Sequence, residues 1–224
     1  AFLGSVAAAQ VPRQTQSDDY TRYELLAPGS AKFRILYEVT ATTPGATHFF
    51  NGIRRGSVAT DERVSDLATG RPLVFDVVNG LVARSGGVRG ADSTGEYIRV
   101  TLARPVAKEG ETRILIDKTY YDTASYKVMG DTIVFDRPLG IKRNSIVLPL
   151  GYELLASNFP SQVLQEAAGR IKVSFWNNTP PQAPVVLRAR RVSAGAAAAM
   201  PNEIRRRLDE RAHQTREIVY YMCR

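Results

Sequence analysis

Residues that carry metal and nucleophile chemistry are scarce in this chain. Among its 224 residues there are two histidines, His48 and His213, and one cysteine, Cys223. These three are scattered and form no catalytic constellation, so we expect no enzymatic activity, no cofactor and no metal centre. A single cysteine also excludes an internal disulfide framework, although a domain of this size needs no such cross-link outside the cytoplasm.

Long apolar runs are also absent, because no stretch reaches the roughly 20 residues that a membrane-spanning helix needs. Near the start, Phe2, Leu3 and Val6 precede an A-x-A pattern and Gln10, which is how a secretory signal peptide ends. We expect residues 1–22 to be a signal-peptide remnant or membrane anchor followed by a flexible lead-in. A short buried N-terminal strand is the alternative. The first interpretation predicts a periplasmic or extracellular protein, membrane-associated where the segment stays uncut.

Basic residues outnumber acidic ones in this chain, 30 to 22. The formal net charge is +8 and the sequence pI is about 9.8. Such a balance favours acidic partners, either an acidic protein surface or an anionic lipid surface. Nucleic acid is not expected as a partner, because most basic residues are spread along the chain and no nucleic-acid-binding motif is present.

Apolar and polar residues alternate with a period of two through the middle of the chain. Residues 33–39 place Phe33, Ile35, Tyr37 and Val39 on one face of a strand. Similar short segments recur between turn signals, and residues 64–77 and 163–175 resemble hairpins. Residues 79–95 are rich in glycine and predict a long loop. About a dozen such strands predict an all-β protein with antiparallel β-sandwich architecture.

The sequence pattern changes near residues 138–145, which suggests a division of the β region. We expect a first β-sandwich domain over residues 23–140 and a second β-sandwich portion over residues 141–192. Two separate sandwiches and one continuous stack both remain open. Residues 193–224 are expected to form a small-residue linker, a basic helix and a terminal strand.

The basic helix is the strongest candidate site in the sequence. Pro201 suits the first turn of a helix, and Ile204, Leu208 and Ala212 recur on one face. The remaining surface carries the predicted partner-binding residues, which are Arg205, Arg206, Arg207, Arg211 and Arg216. Guanidinium groups pair well with carboxylates and phosphates. The alternative is a solvated helix that covers the sandwich.

Other residues invite functional interpretations that packing explains better. Tyrosines could line a glycan or peptide groove, but we expect core or cross-strand packing for them and for Trp176. We expect His48 to be a packed histidine. The acidic residues match no calcium-binding spacing and suit ordinary turns; they are Asp61, Glu62, Asp66, Asp117, Asp122, Asp131 and Asp136.

The segment from Tyr23 to Tyr121 resembles the N-terminal β-domain of M1-type aminopeptidases. The likeness rests on Phe33-Arg34-Ile35-Leu36-Tyr37, Val64-x-Asp66-x-x-Thr69-Gly70-x-x-Leu73, and Val100-x-Leu102-x-x-Pro105 followed by Gly110 and Ile114-x-Ile116. The zinc motif of that family is absent, so the resemblance implies a β-fold and no peptidase residues.

The later part of the β region has a different likeness. Residues 144–154 and 169–177 resemble uncharacterised secreted bacterial β-proteins. A basic, exported chain of this kind is also similar to peripheral subunits of membrane complexes, for example of photosynthetic reaction-centre type.

The sequence therefore predicts a non-enzymatic interaction or scaffold protein that docks on a membrane-associated complex through one or more protein partners. The alternatives are an accessory β-domain of a metallopeptidase or glycan-processing hydrolase, and a glycan-binding module.

Overall fold

The computed structural model describes residues 11–192, which form fourteen strands and one short helix. The strands are β1 Gln16–Leu25, β2 Lys32–Ala41, β3 His48–Gly52, β4 Val58–Asp66, β5 Phe75–Asn79, β6 Glu96–Thr101, β7 Thr112–Tyr121, β8 Tyr126–Met129, β9 Thr132–Leu139, β10 Arg143–Val147, β11 Tyr152–Ser157, β12 Gln162–Gln165, β13 Ile171–Trp176 and β14 Ala183–Arg191. The helix, α1, is Gly80–Ser85. The all-β sandwich prediction is confirmed, and the expected C-terminal helix lies outside the described residues.

Three sheets make up this region. The largest has seven strands in the order β12-β13-β10-β1-β2-β7-β4. A four-stranded sheet has the order β11-β14-β9-β8, and a three-stranded sheet has the order β3-β6-β5. Most pairs are antiparallel, as expected, but β1 and β10 pair in parallel, with Tyr23 opposite Ile146. The seven-stranded sheet is therefore mixed.

The strands form where apolar and polar residues alternate, and the apolar set enters one core. In β2, Phe33, Ile35 and Tyr37 are buried, while the residues between them are partly exposed. Buried side chains of all three sheets join a single hydrophobic cluster. At its centre the rings of Phe33 and Phe135 meet edge to face at 5.4 Å, a favourable aromatic geometry.

Strands on the two sides of the expected boundary at residues 138–145 pair with one another. β10 hydrogen-bonds to β1 in the seven-stranded sheet, and β14 pairs with β9 along its whole length in the four-stranded sheet. Residues 23–140 and 141–192 therefore share two sheets. The boundary lies between two consecutive strands and does not coincide with a division between sheets.

Three local features differ from the sequence-based expectations. β1 begins at Gln16, earlier than expected from the polar lead-in, because residues 16–25 pair with β2. The turn at Gly70 forms with positive φ of 69°, but the chain then departs and β5 pairs with β6 instead of β4. Residues 79–95 include α1, which Asn79 caps by accepting hydrogen bonds from the Leu81 and Val82 amides.

Candidate functional site

The five arginines predicted to bind partners, Arg205 to Arg216, lie outside the described residues. The same holds for the signal-like segment at residues 1–10. Candidate sites in the described part of the chain must therefore come from the β region itself, and two features stand out there.

The first feature is an open edge, which we define as strands β11 and β12 together. β11 is the outer strand of the four-stranded sheet and β12 is the outer strand of the seven-stranded sheet. Only residues 158–161 connect them, so both strand edges lie at one side of the sandwich. Phe159 in this connection packs its ring 5.3 Å from that of Phe175 in β13, which fixes the connection to the core.

The open edge exposes apolar side chains. All four residues of β12 are exposed, including Val163 at 48% and Leu164 at 43%. Leu155 in β11 is 46% exposed, and Leu150 in the turn before it is 69% exposed. β12 has the sequence Gln-Val-Leu-Gln and contains no charged residue and no proline. It therefore lacks the side chains that usually discourage an edge strand from pairing with another chain.

The opposite edge of the same sheet is strand β4, and it is protected. Its middle carries Asp61, Glu62 and Arg63, and the pairing with β7 shifts between Thr60 and Arg63. Asp61 has a φ of 57°, in the left-handed region. Charges and a bulge are the devices by which natural sheets block edge pairing.

A network of ion pairs fixes the end of β12. Glu166 follows the strand directly, and its carboxylate accepts two hydrogen bonds from the Arg22 guanidinium, at 2.5 and 2.8 Å. Arg22 also donates to Glu24 at 2.7 Å, and Lys172 lies 3.9 Å from Glu166. The hydrogen bonds from Arg22 hold the pKa of Glu166 below its usual range. The position of β12 is therefore well defined although its side chains are exposed.

The second feature is a polar junction in the core, defined by Arg54, Lys118, Asp122, Ser125 and Arg137. The buried Arg137 guanidinium of β9 donates to Asp122 at 2.8 Å. Asp122 also accepts hydrogen bonds from Ser125 and Ser57. Burial alone would raise the pKa of Asp122, but these hydrogen bonds and the Arg137 charge outweigh it and leave that pKa lowered.

The two other cations of the junction have no carboxylate in salt-bridge contact within residues 11–192. Lys118 is buried and donates to the Asn51 side chain at 2.6 Å. Burial lowers its pKa. Arg54 donates to the Pro138 carbonyl at 2.9 Å, and burial lowers its pKa as well. The junction holds three cations and one carboxylate, which is an excess of positive charge.

Sequence reasoning missed this junction, although a signal was present. Lys118 stands in phase with the buried residues Ile114, Ile116 and Tyr120 on one face of β7. Arg137 is likewise in phase with Phe135 on β9. A charged residue in phase with an apolar face predicts a buried charge. The partner of Lys118, Asn51, lies in another sheet, and those of Arg137 lie in the connection between β7 and β8. Alternation alone could not identify either set.

The aromatic and histidine expectations have mixed outcomes. Tyr120 and Tyr126 are buried, as expected, whereas Tyr121 is 45% exposed. Trp176 is 58% exposed and lies outside the core, because it is out of phase with the inward-facing Phe175. His48 is exposed rather than packed, since the inward position at the start of β3 belongs to Phe49.

Two kinds of site are absent from residues 11–192. No group of three or more histidine, cysteine, aspartate or glutamate side chains is arranged to hold a metal ion there. No helix in that range is long and apolar enough to cross a membrane.

Comparison with known proteins gives likeness in fold only. No family model and no curated protein match this chain. Among solved structures, an M1 zinc metallopeptidase from Deinococcus radiodurans is 9% identical, with a TM-score of 0.48. A two-domain M1 zinc metallopeptidase mutant bound to L-tryptophan has the same identity and TM-score.

The matched regions cover 80% of this chain but only 42% and 43% of those two proteins. This chain therefore spans less than half the length of either protein. Likeness at this level concerns the β-fold and carries no activity, substrate or partner to this chain.

Proposed function

We propose that this protein is a non-enzymatic interaction module whose open edge binds an extended strand of a protein partner. The observation that carries the proposal is strand β12, an edge strand with four exposed residues and no charge, proline or bulge. An added strand gains backbone hydrogen bonds from such an edge and places alternate side chains on its two faces.

The side chains of β12 indicate what such a strand would contact. Val163 lies opposite Val173 on the inward-facing side of β13, and Leu164 lies opposite Lys172 on the other side. An added strand would thus meet an apolar residue on each face. Because β12 is only four residues long, we expect modest affinity, with a dissociation constant of about 10 µM.

Location and partner class extend this proposal. The apolar start of the sequence supports export, and the net charge of +8 favours an acidic, membrane-associated protein partner. A second candidate function uses the same surface: in an accessory β-domain of a hydrolase, the exposed apolar residues of β11 and β12 would face a catalytic domain.

A peptide selection tests the strand-binding proposal. We would select a phage-displayed library of random peptides on the full chain and follow backbone amide exchange with each selected peptide. We expect peptides with alternating apolar residues that slow exchange in β12 and leave β4 unchanged. Selected peptides that protect another part of the protein, or none that protect β12, would refute the proposal.

A further inference from the structure

A polar cavity lies beside the polar junction and uses none of the open-edge residues. Its volume is about 380 Å³. The turn between β3 and β4 forms one wall and the segment before β6 forms the other. The lining residues are Ile53, Arg54, Arg55, Gly56, Ser57, Asp92, Thr94, Gly95, Glu96 and Tyr97.

Arg54 connects this cavity to the charge of the junction. It is half-buried and lines the cavity, and its Nη1 group donates to the Pro138 carbonyl. Arg137 and Lys118 lie behind it in the core, and Asp122 is already bound by Arg137, Ser125 and Ser57. A desolvated guanidinium without a carboxylate partner is costly, and an anion in the cavity would relieve that cost.

Two carboxylates, Asp92 and Glu96, also line the cavity. Arg55 lies at the rim with its side chain 83% exposed, donates to Thr94 Oγ1 at 3.1 Å and lies 3.9 Å from the Asp92 carboxylate. Asp92 also accepts hydrogen bonds from the Thr94 amide and hydroxyl at 3.0 and 2.9 Å. The hydroxyls of Thr94 and Ser57 therefore already have acceptors. The donors for an oxyanion are the two guanidinium groups, which suit it well.

We propose that this cavity binds a small oxyanion, a free phosphate or carboxylate, between Arg54 and Arg55. The anion neutralises part of the excess positive charge of the junction. It is held by charge-assisted hydrogen bonds, with Arg54 as the main contact because its charge is the less exposed to solvent.

Titration of the full chain with potassium phosphate at constant ionic strength tests this site, followed by amide shifts in nuclear magnetic resonance. Potassium acetate distinguishes a carboxylate from a phosphate preference, and potassium chloride measures general salt effects. We expect saturable shifts at the amides of Gly56, Ser57, Thr94 and Gly95 below about 20 mM of at least one oxyanion. No saturable shift at these amides would overturn the proposal.

Variants then separate the two arginines. Arg54→Gln should weaken binding at least about tenfold, and Arg55→Gln about threefold, because the rim charge is more screened. Arg71→Gln, at an exposed arginine of the β4 turn, is the matched control and should bind like the original chain. If Arg54→Gln does not fold, Arg54→Lys replaces it, with an intermediate loss expected. Original affinity in the Arg54 variant that folds would also overturn the proposal.

Discussion

Strands β4 and β12 lie at the two ends of one seven-stranded sheet and are built from opposite kinds of sequence. β4 has nine residues and carries Asp61, Glu62 and Arg63 at a bulge. β12 has four residues, none of them charged, and all are exposed. Within residues 11–192, β12 presents an unpaired backbone edge, whereas the last residues of β4 are hydrogen-bonded to residues 71–73. The rest of the difference lies in what the side chains permit. On the proposed function, one edge should exclude a further strand and the other should admit one.

The largest expected effect comes from the polar junction, because it fixes the core that both edges share. Asp122→Asn removes the charge that pairs with the buried Arg137 and leaves that cation without a carboxylate partner. Loss of one member of a buried pair costs about 3–5 kcal/mol. We expect urea unfolding to show a loss of this size, and amide exchange to accelerate in β4 and β12 alike.

Asp76→Asn is the matched control, because it breaks a salt bridge with Arg99 at the surface. Exposed pairs contribute little to stability, so this variant should unfold almost like the original chain. Equal destabilisation by the two substitutions would contradict the role given to the junction.

A substitution in the open edge should remove binding and preserve the fold. Val163→Lys with Leu164→Glu adds charge to β12, and we expect affinity for a selected strand peptide to fall at least about tenfold. Both side chains are exposed, so the free energy of unfolding should change by less than about 0.5 kcal/mol. Isothermal titration calorimetry and urea unfolding measure the two quantities.

The control places a change of charge on the other edge. Glu62→Lys in β4 reverses the charge of a partly exposed residue and should leave peptide affinity as it was. Retained affinity in the β12 variant, or equal losses in both variants, would remove the contrast between the edges.

Acidification should weaken the junction. The folded-state pKa of Asp122 is lowered, so the ionised form stabilises the fold above the unfolded-state pKa. That contribution is lost as the pH falls through the folded-state value. We expect the unfolding free energy of the original chain to decrease more steeply below pH ~4 than that of Asp122→Asn. Parallel pH profiles for the two proteins would contradict this assignment.

The smallest expected effect comes from a variant that separates the contribution of charge from that of the bulge in protecting β4. Asp61→Asn with Glu62→Val removes both negative charges, and asparagine still tolerates the positive φ at position 61. Because the bulge remains, we expect self-association to rise by no more than about twofold. Sedimentation velocity measures it, and strong dimerisation would show that charge alone protects this edge.

Local pattern predicted much of the fold. Alternation in residues 33–39 and the hairpin at 163–175 were both confirmed, because each depends on neighbours in the sequence. The parallel pairing of β1 with β10 joins residues more than a hundred positions apart, and no local signal encodes it. For the same reason, the hairpin pattern over residues 163–175 located β12 but not its place at the edge of the sheet.

Site-specific photo-crosslinking in an extract of the cells that make this protein tests the central claim most directly. A benzoylphenylalanine would replace the exposed Leu164 in β12 in one sample and the partly exposed Glu62 in β4 in the other. We predict a discrete protein adduct from position 164 that disappears when Val163→Lys is added, and no such adduct from position 62. Equal adducts from both positions, or an adduct at 164 that persists with Val163→Lys, would contradict the account.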